Sequence, residues 1–145
     1  MISVTIKHES RKVLLGIPKH RMLHQDGVEK GLRFIGQQVI RHTQNLITRV
    51  PKTGRIYAFR GRDHQASAPS EPPANRSGRL ARSGKYLVSS WSRMEVGETA
   101  PYAGYLEDGT KRMAARPHLQ RSVNATARDA VKAFEDNGKR NMGLR

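Results

Sequence analysis

Four groups of residues in this chain have the types from which a reactive or ligand-binding centre is made. His20 and His24 stand four apart, a spacing that can put two ring nitrogens on one helix face, as zinc sites require. Pro18 and Gly27 bracket them and no glutamate follows His20 in the HExxH manner, so they read as solvated residues at a helix entry. Asp63-His64 lies near Ser67, Ser70 and Ser77, the residue types of a hydrolase. A triad is a spatial arrangement, and no spacing here selects a nucleophile. Glu107-Asp108 is a carboxylate pair. On a strand end its two side chains point to opposite sides, which is poor for joint acid–base work. Asp108 suits a turn with Gly109, and Glu107 suits a pair with an arginine, Arg116 or one from a neighbouring subunit. Last, Arg55, Arg60, Arg62, Arg76, Arg79 and Arg82 gather around Tyr57 and Phe59, an alternation of cation and aromatic face that single-stranded nucleic acids can use. Gly54, Gly61, Gly97, Gly104 and Gly109 match no phosphate-binding spacing. The expectation is no catalytic, metal or cofactor site. Arg55, Arg60, Arg62 and Arg82 remain as candidates for contact with DNA or an acidic partner.

The elements that must position these groups follow from periodicity. Ile2, Val4 and Ile6 alternate with polar residues as in a half-buried strand. Val13-Leu14-Leu15 is a short apolar patch in a polar stretch. Val28, Leu32, Ile35, Val39, Thr43, Leu46 and Val50 make one stripe, which predicts a helix from about 24 to 50, ended by Pro51. Gly31 and Gly36 weaken that helix and could mark a close approach to a sheet or a bend. Residues 54–61 read as a strand with Ile56 and Ala58 on one face, Tyr57 and Phe59 on the other. Residues 61–78, with Pro69, Pro72 and Pro73, read as a long loop without a core of its own, and 78–83 as a short helix. Residues 86–91 and 94–96 read as strands, with Ser92-Arg93 as their connection or Gly97 as the turn instead, and 102–106 as another before the Asp108-Gly109 turn. Pro117 suits the first turn of a second amphipathic helix, carried by Leu119, Val123, Thr126, Ala127, Ala130 and Phe134 and stopped at Gly138. The outcome is one α+β domain over 1–138, with two helices on a mostly antiparallel sheet of four to five strands and a flexible tail at 139–145.

The 145 residues contain no cysteine, which excludes disulfides and thiolate metal sites. No apolar run is long enough to span a membrane, and no secretory signal pattern opens the chain, so a soluble protein of the cytoplasm is expected. The net charge is +15, with 27 basic against 12 acidic residues, and it is spread evenly along the chain. Arginine outnumbers lysine 18 to 9, which suits bidentate pairing with carboxylates as well as phosphates. Nucleic acid and acidic protein surfaces are both compatible partners.

Four motifs in order carry a resemblance. They are Ala66-Ser-Ala-Pro-Ser-Glu-Pro-Pro-Ala74, Ser77-Gly-Arg-Leu80, Tyr102-Ala-Gly-Tyr-Leu-Glu-Asp-Gly-Thr110 and Met113-Ala-Ala-Arg-Pro-His-Leu119. Over about residues 24–135 the chain resembles the minor tail component family of lambda-like, long-tailed bacteriophages and prophages, the tail-completion or head–tail joining proteins. It departs from that pattern at Ser70, where glycine is common, at Ser77 for threonine, at Asp108 for an aromatic residue and at His118 for phenylalanine. The resemblance implies a ring, commonly of six subunits, in the neck or at the head-proximal end of the tail. Its partners would be further copies of the chain, the tail tube or tail terminator and the head connector, with DNA in the channel. Virion assembly would be its role, in the host cytoplasm and then the virion, without enzymatic activity or cofactor. Tyr102, Glu107, Gly109, Thr110, Arg116 and Pro117 would form a rigid corner. Arg62, His64, Pro69, Glu71, Pro72, Pro73, Arg76 and Arg79 would contact a neighbour through a loop that orders on assembly. The alternative is an accessory protein that binds nucleic acid without sequence preference.

Overall fold

The computed structural model describes residues 3–7, 12–16, 25–90 and 93–141. In chain order these form β1 (Ser3–Lys7), β2 (Lys12–Gly16), α1 (Gln25–Thr48), β3 (Ile56–Phe59), β4 (Arg62–Gln65), α2 (Arg79–Ser83), β5 (Gly84–Ser90), β6 (Arg93–Glu98), α3 (Ala103–Asp108) and α4 (Leu119–Asn141). The fold is α+β: the two long helices pack on each other, and α1 also packs on an antiparallel sheet ordered β1-β2-β6-β5. Strands β3 and β4 make a separate antiparallel hairpin. The apolar patch at 13–15 is thus a strand in its own right, and the strands divide as four and two instead of forming one sheet.

The core follows the helical stripe. Leu32, Ile35 and Val39 of α1 meet Met94 and Val96 of β6 and Leu119, Val123 and Ala130 of α4, with Tyr86 and Val88 of β5 at the margin. Each fully buried large side chain contributes about 1.5–3 kcal/mol. Thr43 continues the stripe and is buried, its hydroxyl bonded to the Val39 carbonyl. The stripe ends at Ile47, since α1 stops at Thr48 and Val50 lies beyond it, exposed. Ile47 anchors a second cluster with Leu80, Ala81, Ala100 and Ala103, flanked by Tyr102 and Leu106. Gly36 is where α1 lies closest to the sheet: a Cβ there would fall 2.5 Å from Tyr86 Cγ and 2.9 Å from Met94 Sδ.

Several sequence expectations change. Residues 103–108 are a helix, not a strand. Ala103 and Glu107 are four apart and both buried, so the segment has helical period with an inward face. Residues 62–65 are paired strand, so the loop proper is 66–78. Gly138 does not stop the last helix, which runs to Asn141 and takes in part of the expected tail; residues 142–145 lie outside the described residues. His20, His24, Trp91, Ser92 and the side chains of Val28 and Phe134 also lie outside them.

Candidate functional site

A helix beginning in the interior leaves several N–H groups without partners. In α4 one side chain satisfies three of them. Glu107, 3% exposed on α3, accepts from the N–H of His118 at 2.8 Å and of Leu119 at 3.0 Å through Oε2, and from Gln120 at 2.9 Å through Oε1. The chain between the helices is shaped for this. Gly109 ends α3 at a φ of 77°, Thr110 bridges to Met113, and the Arg116 N–H donates to the Leu106 carbonyl at 2.7 Å. A Cβ on Gly109 would lie 2.7 Å from both the Ala115 nitrogen and the Met113 oxygen, so only glycine fits.

His118 stands at the same point with its ring fully buried. Nε2 is 2.7 Å from Glu98 Oε2 at the end of β6. Nδ1 is 2.8 Å from Glu107 Oε2 and 3.0 Å from the Arg116 carbonyl oxygen. Acceptors face both ring nitrogens, so both must carry hydrogen and the ring is an imidazolium. Burial alone would push its pKa down. The hydrogen bonds and charges of Glu107 and Glu98 outweigh that and raise it to about 10. Burial would likewise raise the Glu107 carboxyl, but bonding to His118 and the N–H groups of α4 holds it at about 2. A polar seam continues from here. The Ser122 hydroxyl donates to the His118 carbonyl, Thr126 donates to the Ser122 carbonyl, and His42 Nδ1 of α1 is 3.2 Å from Ser122 Oγ. Such a sealed imidazolium cannot touch a substrate. It fastens the last strand, α3 and α4 together.

In front of this corner lies a cavity of about 260 Å³. Its walls come from the hairpin (Tyr57, His64), the 66–78 loop (Ser67, Pro73, Arg76), α2 (Arg79, Leu80) and the corner (Tyr102, Leu106, Arg116). Two buried polar atoms of its lining residues, Ser67 Oγ and Arg116 Nε, have no hydrogen-bond partner. The His64 ring meets Tyr57 edge-on at 5.3 Å, and the Arg76 and Arg60 guanidinium groups lie 4.6 and 5.5 Å from the Phe59 ring centre.

The expected corner residues Tyr102, Glu107, Gly109, Thr110, Arg116 and Pro117 do come together, with altered roles. Glu107 projects from a helix, and its charge partner at 2.8 Å is the His118 imidazole, which the sequence did not pair with it. Pro117 precedes the capping residue instead of entering the first turn. The loop is tied down and not a free arm. Glu71 turns inward to Thr53 and the Ala68 N–H, Pro72 and Pro73 are buried, the Ser70 N–H donates to the Ala115 carbonyl, and Arg121 donates to the Ser70 carbonyl. Those hydrogen bonds lower the Glu71 pKa, Thr53's hydroxyl bond foremost. Arg62, Pro69, Arg76 and Arg79 remain exposed and available for contact, and His64 is half-buried. Arg55 and Arg60 are also exposed, while Arg82 folds back on the Ser77 carbonyl at 3.1 Å.

Glu98 escaped the sequence reading, and Ser67 entered it only as one of three serines near Asp63-His64. Glu98 was readable in principle, because Met94, Val96 and Glu98 share the buried face of one strand by alternation. Among the described residues no cluster of histidine and carboxylates could hold a metal ion, and no helix is long and apolar enough to cross a membrane. The chain matches no protein-family model, no curated protein and no solved structure.

Proposed function

We propose that this chain is a building block of a tailed-bacteriophage virion, a ring-forming tail-completion or neck component that joins the tail to the head connector. One observation carries the reading: the motif residues of the resemblance serve as frame. Glu107 caps a helix and Gly109 turns the chain, while the strongest cluster of titratable groups, Glu98–His118–Glu107, is sealed from solvent. Exposed residues include Arg55, Arg60, Arg62, Arg76 and Arg79 and a few large apolar side chains. Ile56 of the hairpin, Leu87 of the sheet and Tyr105 of α3 are each more than 60% exposed. A cyclic ring needs two different complementary patches on each subunit, and these elements supply separate ones.

Electron microscopy and native mass measurement of the purified protein, alone and mixed with tail tubes, test the reading. Rings, or density at the tube end, are expected. A monomer that ignores tails and binds DNA with a steep salt dependence would replace it with the nucleic-acid reading. That second reading has one point in its favour, the exposed arginines Arg55, Arg60 and Arg62 on and beside the hairpin. Against it, Phe59 already carries two of the protein's own guanidinium groups, so it offers no open platform for a base.

A further inference from the structure

The larger sheet has two unpaired borders. Among the described residues β5 is bonded on one side only, to β6, and β1 on one side only, to β2. A free border presents a row of backbone donors and acceptors that another strand can complete, and folded proteins guard it with charge, proline or a bulge. The guard on β5 is slight. It holds no proline and a single charge, Lys85, its irregularity comes only after Val88, and Leu87 is 62% exposed. A groove of about 430 Å³ opens beside it, between Ile40, Arg41 and Gln44 of α1 and Gly84 and Tyr86 of β5. No residue of β6 lines that groove, so it lies at the outer border of the strand.

Direction and face select what fits there. All three pairings in the sheet are antiparallel, so β1 and β5 run in opposite directions. A second copy in the same orientation therefore brings its β1 alongside β5 as one more antiparallel strand. The registers keep the faces in step as well. Val4, Leu15, Met94 and Val88 form one row across the sheet, and Ile6, Val13, Val96 and Tyr86 form another. Met94 and Val96 are fully buried in the core with the helices, so both rows belong to the core side. Positions 4 and 6 of an added β1 would carry these rows on from Val88 and Tyr86, where the groove beside Ile40 leaves room for them.

We infer that β5 receives β1 of a neighbouring copy, so that the sheet runs on from one subunit to the next. The contact is head-to-tail, and in a closed ring it leaves neither border unpaired. Two β5 strands related by a two-fold axis can also pair, but both β1 borders then stay open. A foreign strand on β5 has the same shortcoming. The inference rests on the assembly reading for the closed ring, and it adds which strands meet.

Cysteine cross-linking tests it, because the chain has no cysteine of its own. Leu87→Cys is combined in turn with a cysteine at each position from 3 to 7. The products of mild oxidation, from the purified protein and from protein on tail tubes, are sized on a non-reducing gel. Within one copy β1 and β5 stand three strand spacings apart, about 14 Å, too far for a disulfide. A ladder of linked copies is expected with Ser3→Cys, Thr5→Cys or Lys7→Cys, whichever lies opposite, and none with Val4→Cys or Ile6→Cys, which fall on the other face. Leu87→Lys should leave the fold intact by circular dichroism and weaken association by about tenfold or more, the scale of one buried leucine. Both copies are basic, so association should hold or rise with added salt, where nucleic-acid binding falls. A dimer from Leu87→Cys alone as the main product overturns the inference in favour of β5 on β5. Equal linking at odd and even positions, or no ladder at any position, also overturns it. Rings seen by microscopy without these links strike the strand contact and leave the assembly reading standing. A ladder from a chain that never joins tails does the reverse.

Discussion

His118 holds a charge where burial opposes one, and two carboxylates make that possible. Removing one member of a buried pair costs about 3–5 kcal/mol, because the other is left without compensation, whereas replacing both by apolar groups is often neutral. His118→Phe is therefore expected to destabilise the fold by about that much, although phenylalanine is the residue the resembling family favours there. Glu98→Met with His118→Phe should regain most of the loss, measured as a double-mutant cycle from urea unfolding. The same groups set a pH window. His118 is raised from 6.5 to about 10, so its contribution is complete below pH 6.5 and disappears as pH climbs towards 10. Glu107 is lowered from 4.5 to about 2, so its contribution is complete above pH 4.5 and disappears as pH falls towards 2. Urea midpoints across pH should plateau between about 4.5 and 6.5 and fall on both sides. In His118→Phe the alkaline fall should shrink. A flat alkaline limb in the parent protein would contradict the charged ring.

Two glycines decide how elements meet. Gly36→Ala would be favourable in an isolated helix by about 1 kcal/mol. Here the added carbon collides with Tyr86 and Met94, so a net loss of about 1–2 kcal/mol is expected, and the sign of the thermal shift separates the two accounts. Gly109→Ala combines a left-handed backbone with contacts under 3 Å and should cost more, about 2–4 kcal/mol. The helices α1 and α4 were legible because many side chains repeat one period over more than twenty residues. The segment 102–108 was not, since over seven residues Tyr-Ala-Gly-Tyr-Leu-Glu-Asp fits a period of two as well as one of four; only the inward pull on Ala103 and Glu107 decides it. Strand β2 hid because flanking polar residues outweigh a three-residue apolar patch. The corner residues were findable from their order in the chain, but the bonds among them were not. Glu98 and His118 are twenty positions apart, and nothing in either position alone announces the other.

At the scale of the molecule, net charge sets the character of the surface. Glu98 and Glu107 are buried at the corner, while Asp63, Asp108 and Asp129 share the exposed surface with Arg55, Arg60, Arg62, Arg76 and Arg79. With 27 bases against 12 acids the net charge of +15 favours encounter with acidic surfaces and makes that encounter sensitive to salt. In the described sheet β5 lies at one border, with Leu87 turned away from the helices that cover Tyr86 and Val88.

The fastening at Glu98, Glu107 and His118 draws its members from a stretch of only twenty-one consecutive positions. Nothing in it depends on the tip of the hairpin. Mutation can therefore rewrite the surface of the hairpin for a new neighbour, step by step, while that buried knot stays tied.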